Sequence, residues 1–472
     1  MYSKVIIVNT FSKPTNIIIL IALNLQLSLG QWWSLPVNLG IQNADDVNPH
    51  TCRACVEPSC LVWESNTHGN WDILSRFVYW EYLTDTLSIT VDTNSDINAS
   101  VAIDYSNNCF WCVWQTDRTG NWDIFVSYGD SLNGWSVPYQ LSSDTLEDLN
   151  PSVYVNLDTV WVIWNSPFGI GTAYYDGNGW SFPKYINGSW TSYDARPCIS
   201  GHYNHPLAVW SYNSNIYFSE CTDTTWSFPQ QITNNNLSKW PEICAEIFPW
   251  TNESYGAWIT WQCSLSMGNW EIFATDRDVF TNINQLTNNN YNDITPSPLL
   301  DLALVDIPPV TAFCSDSNGN NDISAYWLGW GIEPIDTNAS DDSNPVLTQS
   351  GLHLWVYWQT DRNGDLDIYG RFIDMNNIEE FVIKDIYIKT TINLKPNPFS
   401  KNIIIKWQLQ NQTQKYLAIY DLTGREVKKL YLHKSQGMVT WNGTDHQNNP
   451  LPEGIYFIEL DGKIQQKVIK VK

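Results

Sequence analysis

Six aspartates recur at one place in the chain, and a ring of carboxylates is the first chemistry the sequence offers. Asp46, Asp96, Asp148, Asp194, Asp293 and Asp342 each stand three residues before a Pro, or before Ala99 in its place, and Ser238 takes the remaining position. Brought together on one face, these side chains would form an acidic funnel for a cation or a cationic ligand. Taken singly, each would cap its own loop by accepting backbone N–H groups, which is the ordinary role of Asp in such a place.

A second group of acids lies in Gly-containing turns. One runs Trp114-Gln115-Thr116-Asp117-Arg118-Thr119-Gly120-Asn121-Trp122-Asp123-Ile124-Phe125, and another runs Trp358-Gln359-Thr360-Asp361-Arg362-Asn363-Gly364-Asp365-Leu366-Asp367-Ile368-Tyr369. Asp361, Asn363, Asp365 and Asp367 alternate as oxygen ligands do in calcium loops, but Gly comes one position after Asn363 and no bidentate Glu follows at EF-hand distance. Calcium is therefore a candidate occupant of Asp117, Asp361 and Asp365. Turn formation by Asp, Asn and Gly is the simpler account. No other cofactor is implied, and no metal-ligand set stands out.

Signatures of catalysis are missing from the sequence. There is no G-x-S-x-G elbow, no H-E-x-x-H and no phosphate loop, and the 7 His are scattered. A sialidase-like site needs clustered arginines, yet Arg118 and Arg362 already belong to repeated turns. A pair of carboxylates for glycoside hydrolysis cannot be picked out of so many acids. No catalytic residue is assigned.

The 10 Cys suggest disulfides more than metal in an exported chain. Cys55 and Cys60 flank the short turn Val56-Glu57-Pro58-Ser59, and Cys244 and Cys263 fall on strands expected to be neighbours, so these are the two candidate bridges. Cys52-x2-Cys55 and Cys109-x2-Cys112 have zinc-like spacing, but residues i and i+3 of a strand face opposite ways.

The elements that must position these residues follow from an internal repeat. Pro49, Ala99, Pro151, Pro197, Pro241, Pro296 and Pro345 are spaced 44 to 55 residues apart, and Trp63, Trp114, Trp164, Trp210, Trp261, Phe313 and Trp358 recur in step with them. Each unit reads as four short strands, the last marked in several copies by Trp-Ser-x-Pro, and no helical stretch intervenes. Seven such units predict an all-β chain with a seven-bladed β-propeller over residues 31–389. The segment Trp32-Trp33-Ser34-Leu35-Pro36 is a fourth strand lacking the first three, so residues 32 to 39 are expected to complete the seventh blade. Glu380-Phe381-Val382-Ile383 is the alternative strand for that place.

The Asp-Arg-x-Gly hairpin followed by Asp-Ile-Tyr or Asp-Ile-Phe resembles the repeat of TolB-like propellers. That resemblance implies the fold over roughly residues 31 to 375 and leaves function open, since the family contains scaffolds and binding proteins as well as domains attached to peptidases.

Both ends of the chain speak for export. Lys4 and Lys13 precede an apolar run from Ile17 to Leu29, the pattern of a signal peptide over residues 1–30. No other stretch is long enough to span a bilayer as a helix, so no transmembrane segment is expected after signal removal. The formal charge of -24 is concentrated in residues 31 to 389, whose net is -32, which excludes nucleic acid as a natural partner. After Lys389 the composition turns basic and the repeat stops. Pro396-Asn397-Pro398-Phe399, Tyr420-Asp421-Leu422-Thr423-Gly424-Arg425 and Gly454-Ile455-Tyr456-Phe457 occur in that order, and a basic strand ends the chain. This order is similar to the C-terminal sorting domain of type IX secretion substrates, while Trp441-Asn442-Gly443-Thr444-Asp445 is similar to a box in the immunoglobulin-like domain of flagellar hook-capping proteins. The resemblance implies a small β-sandwich over residues 390–472, the type IX secretion machinery as its partner, and a secreted or cell-surface location. The expected function is binding of a glycan or protein ligand by a non-catalytic module. An extracellular glycan-active enzyme and a structural surface protein are the alternatives.

Overall fold

The computed structural model describes residues 33–374 and 391–472, apart from 42, 54–56, 157–158, 203–204, 246–256, 265–267, 277–282, 301–308, 329–330, 409–414, 433–435, 448 and 461–462. The expected signal segment, Cys55 and the alternative strand at 380–383 lie outside the described residues. All regular structure among the described residues is β. The chain divides into two compact units, Met1–Met375 and Asn376–Lys472.

The first unit holds seven antiparallel sheets of four or five strands. The second blade shows the pattern: an inner strand Asp96–Asp104, then Cys109–Thr116, Asp123–Asp130 and the short outer strand Gly134–Trp135. Middle strands such as Thr159–Ser166 (TVWVIWNS) are rich in β-branched and aromatic residues, and all but the first of its residues are buried, because a blade is covered on both faces. The aromatic that marks each repeat is at most 2% exposed in every blade, from Trp63 to Trp358. Burying an indole removes roughly 200 Å² from water, worth about 5 kcal/mol as an upper estimate, so this one position contributes much of the cohesion. Gly171 lies opposite Trp164, and a Cβ there would come within 2.3 Å of the indole; only glycine lets strand and ring approach so closely.

Inner strands touch in sequence order around a ring, and Asp46–Thr51 of the first blade meets Asp342–Ser350 of the seventh. The N-terminal segment closes it, as expected: Val37–Asn38 pairs with Asp367–Asp374, with Val37 opposite Gly370. Trp33 anchors that segment, 5% exposed and donating from Nε1 to Glu333 at 3.1 Å. A closed ring leaves no long sheet edge open to another chain.

In the second unit a three-stranded sheet (Thr391–Lys395, Ile403–Gln408, Gln436–Trp441) and a four-stranded sheet (Glu426–Leu432, Lys415–Asp421, Gly454–Leu460, Lys463–Lys470) enclose one core that includes Phe399, Ile419, Trp441, Tyr456 and Val468. Its sequence motifs perform structural tasks. Asn397 binds Lys467 O at 2.9 Å and receives the Ile469 N–H at 3.0 Å, tying the Pro-Asn-Pro-Phe segment to the last strand. Asp421 accepts from the Thr423 hydroxyl at 2.6 Å, which leads the interactions that bring its carboxyl down to about 2, and Gly424 completes that turn at φ 80°. Trp441 Nε1 donates to Thr444 O at 2.9 Å inside its box.

One expected bridge is corrected. Cys263 pairs in register with Ser238, whereas Cys244 lies opposite Trp258, so the two sulfurs sit at different levels of the sheet and do not bridge one another. The expectation placed the strands correctly as neighbours but set the register about six residues wrong.

A candidate ligand site at the channel mouth

Each inner strand begins near the channel mouth and is irregular there for a reason visible in the sequence. In six blades the register shifts across the anchor position, as between Val47 and His50 or Ile294 and Ser297; five of these anchors are Pro, which cannot donate to a ladder, and the sixth is Ala99. The residue just before the anchor is left-handed in all seven: Asn48, Asn98, Asn150, Arg196, Trp240, Thr295 and Asn344, with φ between 42° and 55°. Asn enters this region readily. Arg, Trp and above all the β-branched Thr do so at a cost of about 1–3 kcal/mol.

These seven residues line one cavity of about 550 Å³, joined by Trp122, Tyr193, Asp194, Gln115 and Glu242. Blades are latched to one another at its rim. Gln115 Oε1 accepts the Asn150 N–H of the next blade at 2.7 Å, Gln262 accepts Thr295 N–H at 3.0 Å, and Gln359 accepts Asn48 N–H at 2.9 Å. In the first blade Glu64 takes that place, accepting Asn98 N–H at 2.8 Å and Asn48 Nδ2 at 3.1 Å. Burial pushes the Glu64 carboxyl up to about 7, against the opposing effect of those two donors.

Arg53 of the first blade reaches across the channel. Its guanidinium pairs with Glu242 and donates to Ile243 O and to Cys198 Sγ, both at 3.0 Å. His50 beside it is held neutral, its pKa lowered to about 3 by burial and then by Arg53. In the fourth and fifth blades Asp194 accepts from Trp240 Nε1 at 2.8 Å and faces Arg196 and Lys239, each at 3.4 Å, while the Arg196 guanidinium stacks on the Trp240 ring 4.0 Å from its centroid.

The six repeated aspartates therefore fall into two groups. Asp46, Asp96, Asp148, Asp293 and Asp342 are at most 1% exposed, each inside its own blade. Asp96 accepts from Trp114 Nε1 at 2.9 Å and pairs with Arg118 at 2.7 Å; Asp293 accepts from Asn289 at 2.7 Å and Asp342 from Asn338 at 2.8 Å. Burial, ahead of every other influence, raises the carboxyls of Asp46, Asp148 and Asp342 to about 6. Asp194 alone turns toward the cavity.

Of the hairpin acids, Asp117 Oδ1 accepts Ser95 N–H and Asp361 Oδ1 accepts Asp341 N–H, both at 3.0 Å, so each fastens its turn to the preceding loop. Asp365 lies partly exposed in its turn. Asn363 points its amide at Asp367, 2.7 Å away. Among the described residues no three His, Cys, Asp or Glu side chains are grouped to hold a metal ion.

Arg53, Glu242, Arg196 and Trp240 were not singled out from the sequence as site residues. One signal was available for two of them: at the position before the anchor, four blades carry Asn and three depart from it.

Residues 393–471 match the model of the secretion system C-terminal sorting domain. The tail is a type IX secretion sorting domain, and the protein is secreted or displayed at the cell surface. No curated protein matches the chain. Among solved structures, the chain is similar to a Trypanosoma rangeli sialidase in complex with sialic acid, at 8% identity and TM-score 0.43, covering 92% of this chain and 88% of that one. The catalytic domain of a Coprinopsis cinerea GH62 alpha-L-arabinofuranosidase is matched at 13% identity and TM-score 0.35, over 60% and 91% of the two chains. PorZ, a surface component of the type IX secretion system of Porphyromonas gingivalis, is matched at 11% identity and TM-score 0.33, over 87% and 64%.

Proposed function

We propose that this protein is a surface-displayed binding module whose ligand seats in the mouth of the propeller channel. Residues 1–30 serve as its export signal and residues 390–472 as the element handled by the type IX machinery. The repeat's likeness to TolB-like propellers fits this role without specifying a ligand.

One observation carries the reading. Four blades meet the left-handed position with Asn, the residue that suits it, while the fourth to sixth blades place Arg196, Trp240 and Thr295 there and retain the strain. All three face the same cavity. Binding fits the site better than hydrolysis, because both carboxylates named at the mouth, Asp194 and Glu242, are held in ion pairs with Arg196, Lys239 and Arg53.

The test is Trp240→Asn, which gives the fifth blade the residue used by four others. The full chain should remain folded by circular dichroism, and ligands found by screening glycan and peptide arrays should be lost. A chromogenic glycoside turned over by the wild type and not by Glu242→Gln would replace binding with catalysis.

A further inference from the structure

We infer that the ligand of this mouth is an uncharged glycan, with a sugar ring seated in the sector built by Tyr193, Arg196 and Trp240. The inference rests on the channel mouth being the ligand site and adds the chemical class.

Aromatic surface is the first argument. Tyr193 is 77% exposed, and it lines the cavity together with the partly exposed Trp240. The loop backbone that carries Tyr193 and the ring of Trp240 are held before any ligand arrives. Asn165 Nδ2 donates to Ser192 O at 2.9 Å and to Tyr193 O at 3.3 Å, and the Thr191 hydroxyl donates to Ser166 O at 2.7 Å, which fixes the loop carrying Tyr193. Trp240 is fixed by its indole bond to Asp194 and by the stacked Arg196. A face held this way loses little conformational freedom on binding, and the negative face of an aromatic ring attracts the C–H-rich face of a pyranose.

The polar lining matches hydroxyl groups. Asn48, Asn98, Asn150 and Asn344 present carboxamides, each of which donates and accepts, as a sugar hydroxyl does. They already bond to one another, Asn344 to Asn48 at 3.0 Å and Asn98 to Asn150 at 3.2 Å, so their positions are set.

Charge supplies the third argument. The charged groups of the mouth are paired within the protein: Asp194 with Arg196 and Lys239, Glu242 with Arg53. A charged ligand would have to break one of these pairs, whereas a neutral one leaves them in place. At long range the net charge of -32 over residues 31 to 389 repels polyanions, and a neutral glycan is indifferent to it.

The experiment is titration calorimetry on the full chain with neutral oligosaccharides (gluco-, manno-, xylo- and galacto-series), oligogalacturonate and a sulfated oligosaccharide, at 20 and 300 mM NaCl. At least one neutral oligosaccharide should bind with an affinity that changes less than twofold between the two salts and at least tenfold more tightly than the acidic sugars. Tyr193→Ala and Trp240→Ala should each weaken it tenfold or more, with the circular dichroism spectrum and melting temperature retained. Tighter binding of an acidic sugar, a steep salt dependence, or no binding of any neutral sugar would overturn the inference. A peptide bound instead, in a manner lost with Trp240→Ala, would sink the glycan class while sparing the mouth as the ligand site. Glycan binding insensitive to both aromatic substitutions would sink both.

Discussion

Replacing Glu64 by Gln should stabilise the propeller at neutral pH and leave it unchanged in mild acid. Glu64 occupies the latch position held by Gln in the second, fifth and seventh blades, and its Oε1 accepts the same interblade N–H that their amide oxygens accept. The difference is charge. The side chain is 4% exposed, and its carboxyl rises from an ordinary 4.5 to about 7, chiefly through burial. A carboxyl with a raised folded-state pKa keeps its proton more firmly in the folded protein than in the unfolded chain. Its contribution is therefore fully present below about 4.5 and is lost as pH rises through about 7. At roughly 1.4 kcal/mol per tenfold in proton affinity, the loss amounts to about 3 kcal/mol. Glu64→Gln retains the acceptor and removes the ionisation, so it should gain about 3 kcal/mol at pH 8 and nothing at pH 4.5. For a unit of this size that is a rise in melting temperature of about 4 °C. Thermal and urea unfolding of both proteins across pH 4.5 to 8.5 measures it. The difference between the two isolates Glu64 from Asp46, Asp148 and Asp342, which titrate in both. A variant less stable than the wild type at pH 8, or a difference that does not vary with pH, would refute the reasoning.

Three further outcomes are expected. Asp96→Ala leaves the buried Trp114 indole without its acceptor and Arg118 with Asp92 as its remaining ionic partner, and should cost about 1–3 kcal/mol in urea unfolding, against about 0–1 kcal/mol for the half-exposed Asp194→Ala; equal losses would contradict the division of the aspartates into two groups. Trp33→Ala removes the buried anchor of the closing segment and one donor to Glu333, so it should cost about 3–5 kcal/mol and promote self-association through the opened edge, as seen by light scattering; a monomer of unchanged stability would mean the ring does not depend on that segment. Millimolar calcium added after chelation should leave the melting temperature of the full chain within about 1 °C, because Asp117, Asp361 and Asn363 are engaged in turn hydrogen bonds; a larger rise that disappears in Asp361→Asn would establish a calcium site.

The sequence by itself determined the architecture and the destination of this protein. Repeated Pro and Trp positions record the period of the blade, because a strand start that cannot donate and an aromatic packed between sheets are demanded afresh in each copy. The lone Trp33-Ser34-x-Pro36 segment revealed the closure for the same reason, since a missing fourth strand must come from somewhere. The ordered motifs of the tail identified the sorting domain, and they prove to supply a strand junction, turns and an inner strand within one small unit. What lay beyond the sequence was direction and register. Asp46 and Asp194 occupy the same place in the repeat, yet one is sealed inside its sheet and the other faces the cavity, a distinction made by the neighbouring blade's Lys239 and Trp240. Cys244 and Cys263 sit on paired strands, but only the register shows that they miss one another. Arg53 is a single residue after a short strand, and it becomes part of the mouth because ring closure brings the first blade across from the fifth, where Glu242 awaits it. Such partners are separated by up to several blades along the chain, so no local pattern records them; the geometry of the closed ring alone makes them neighbours.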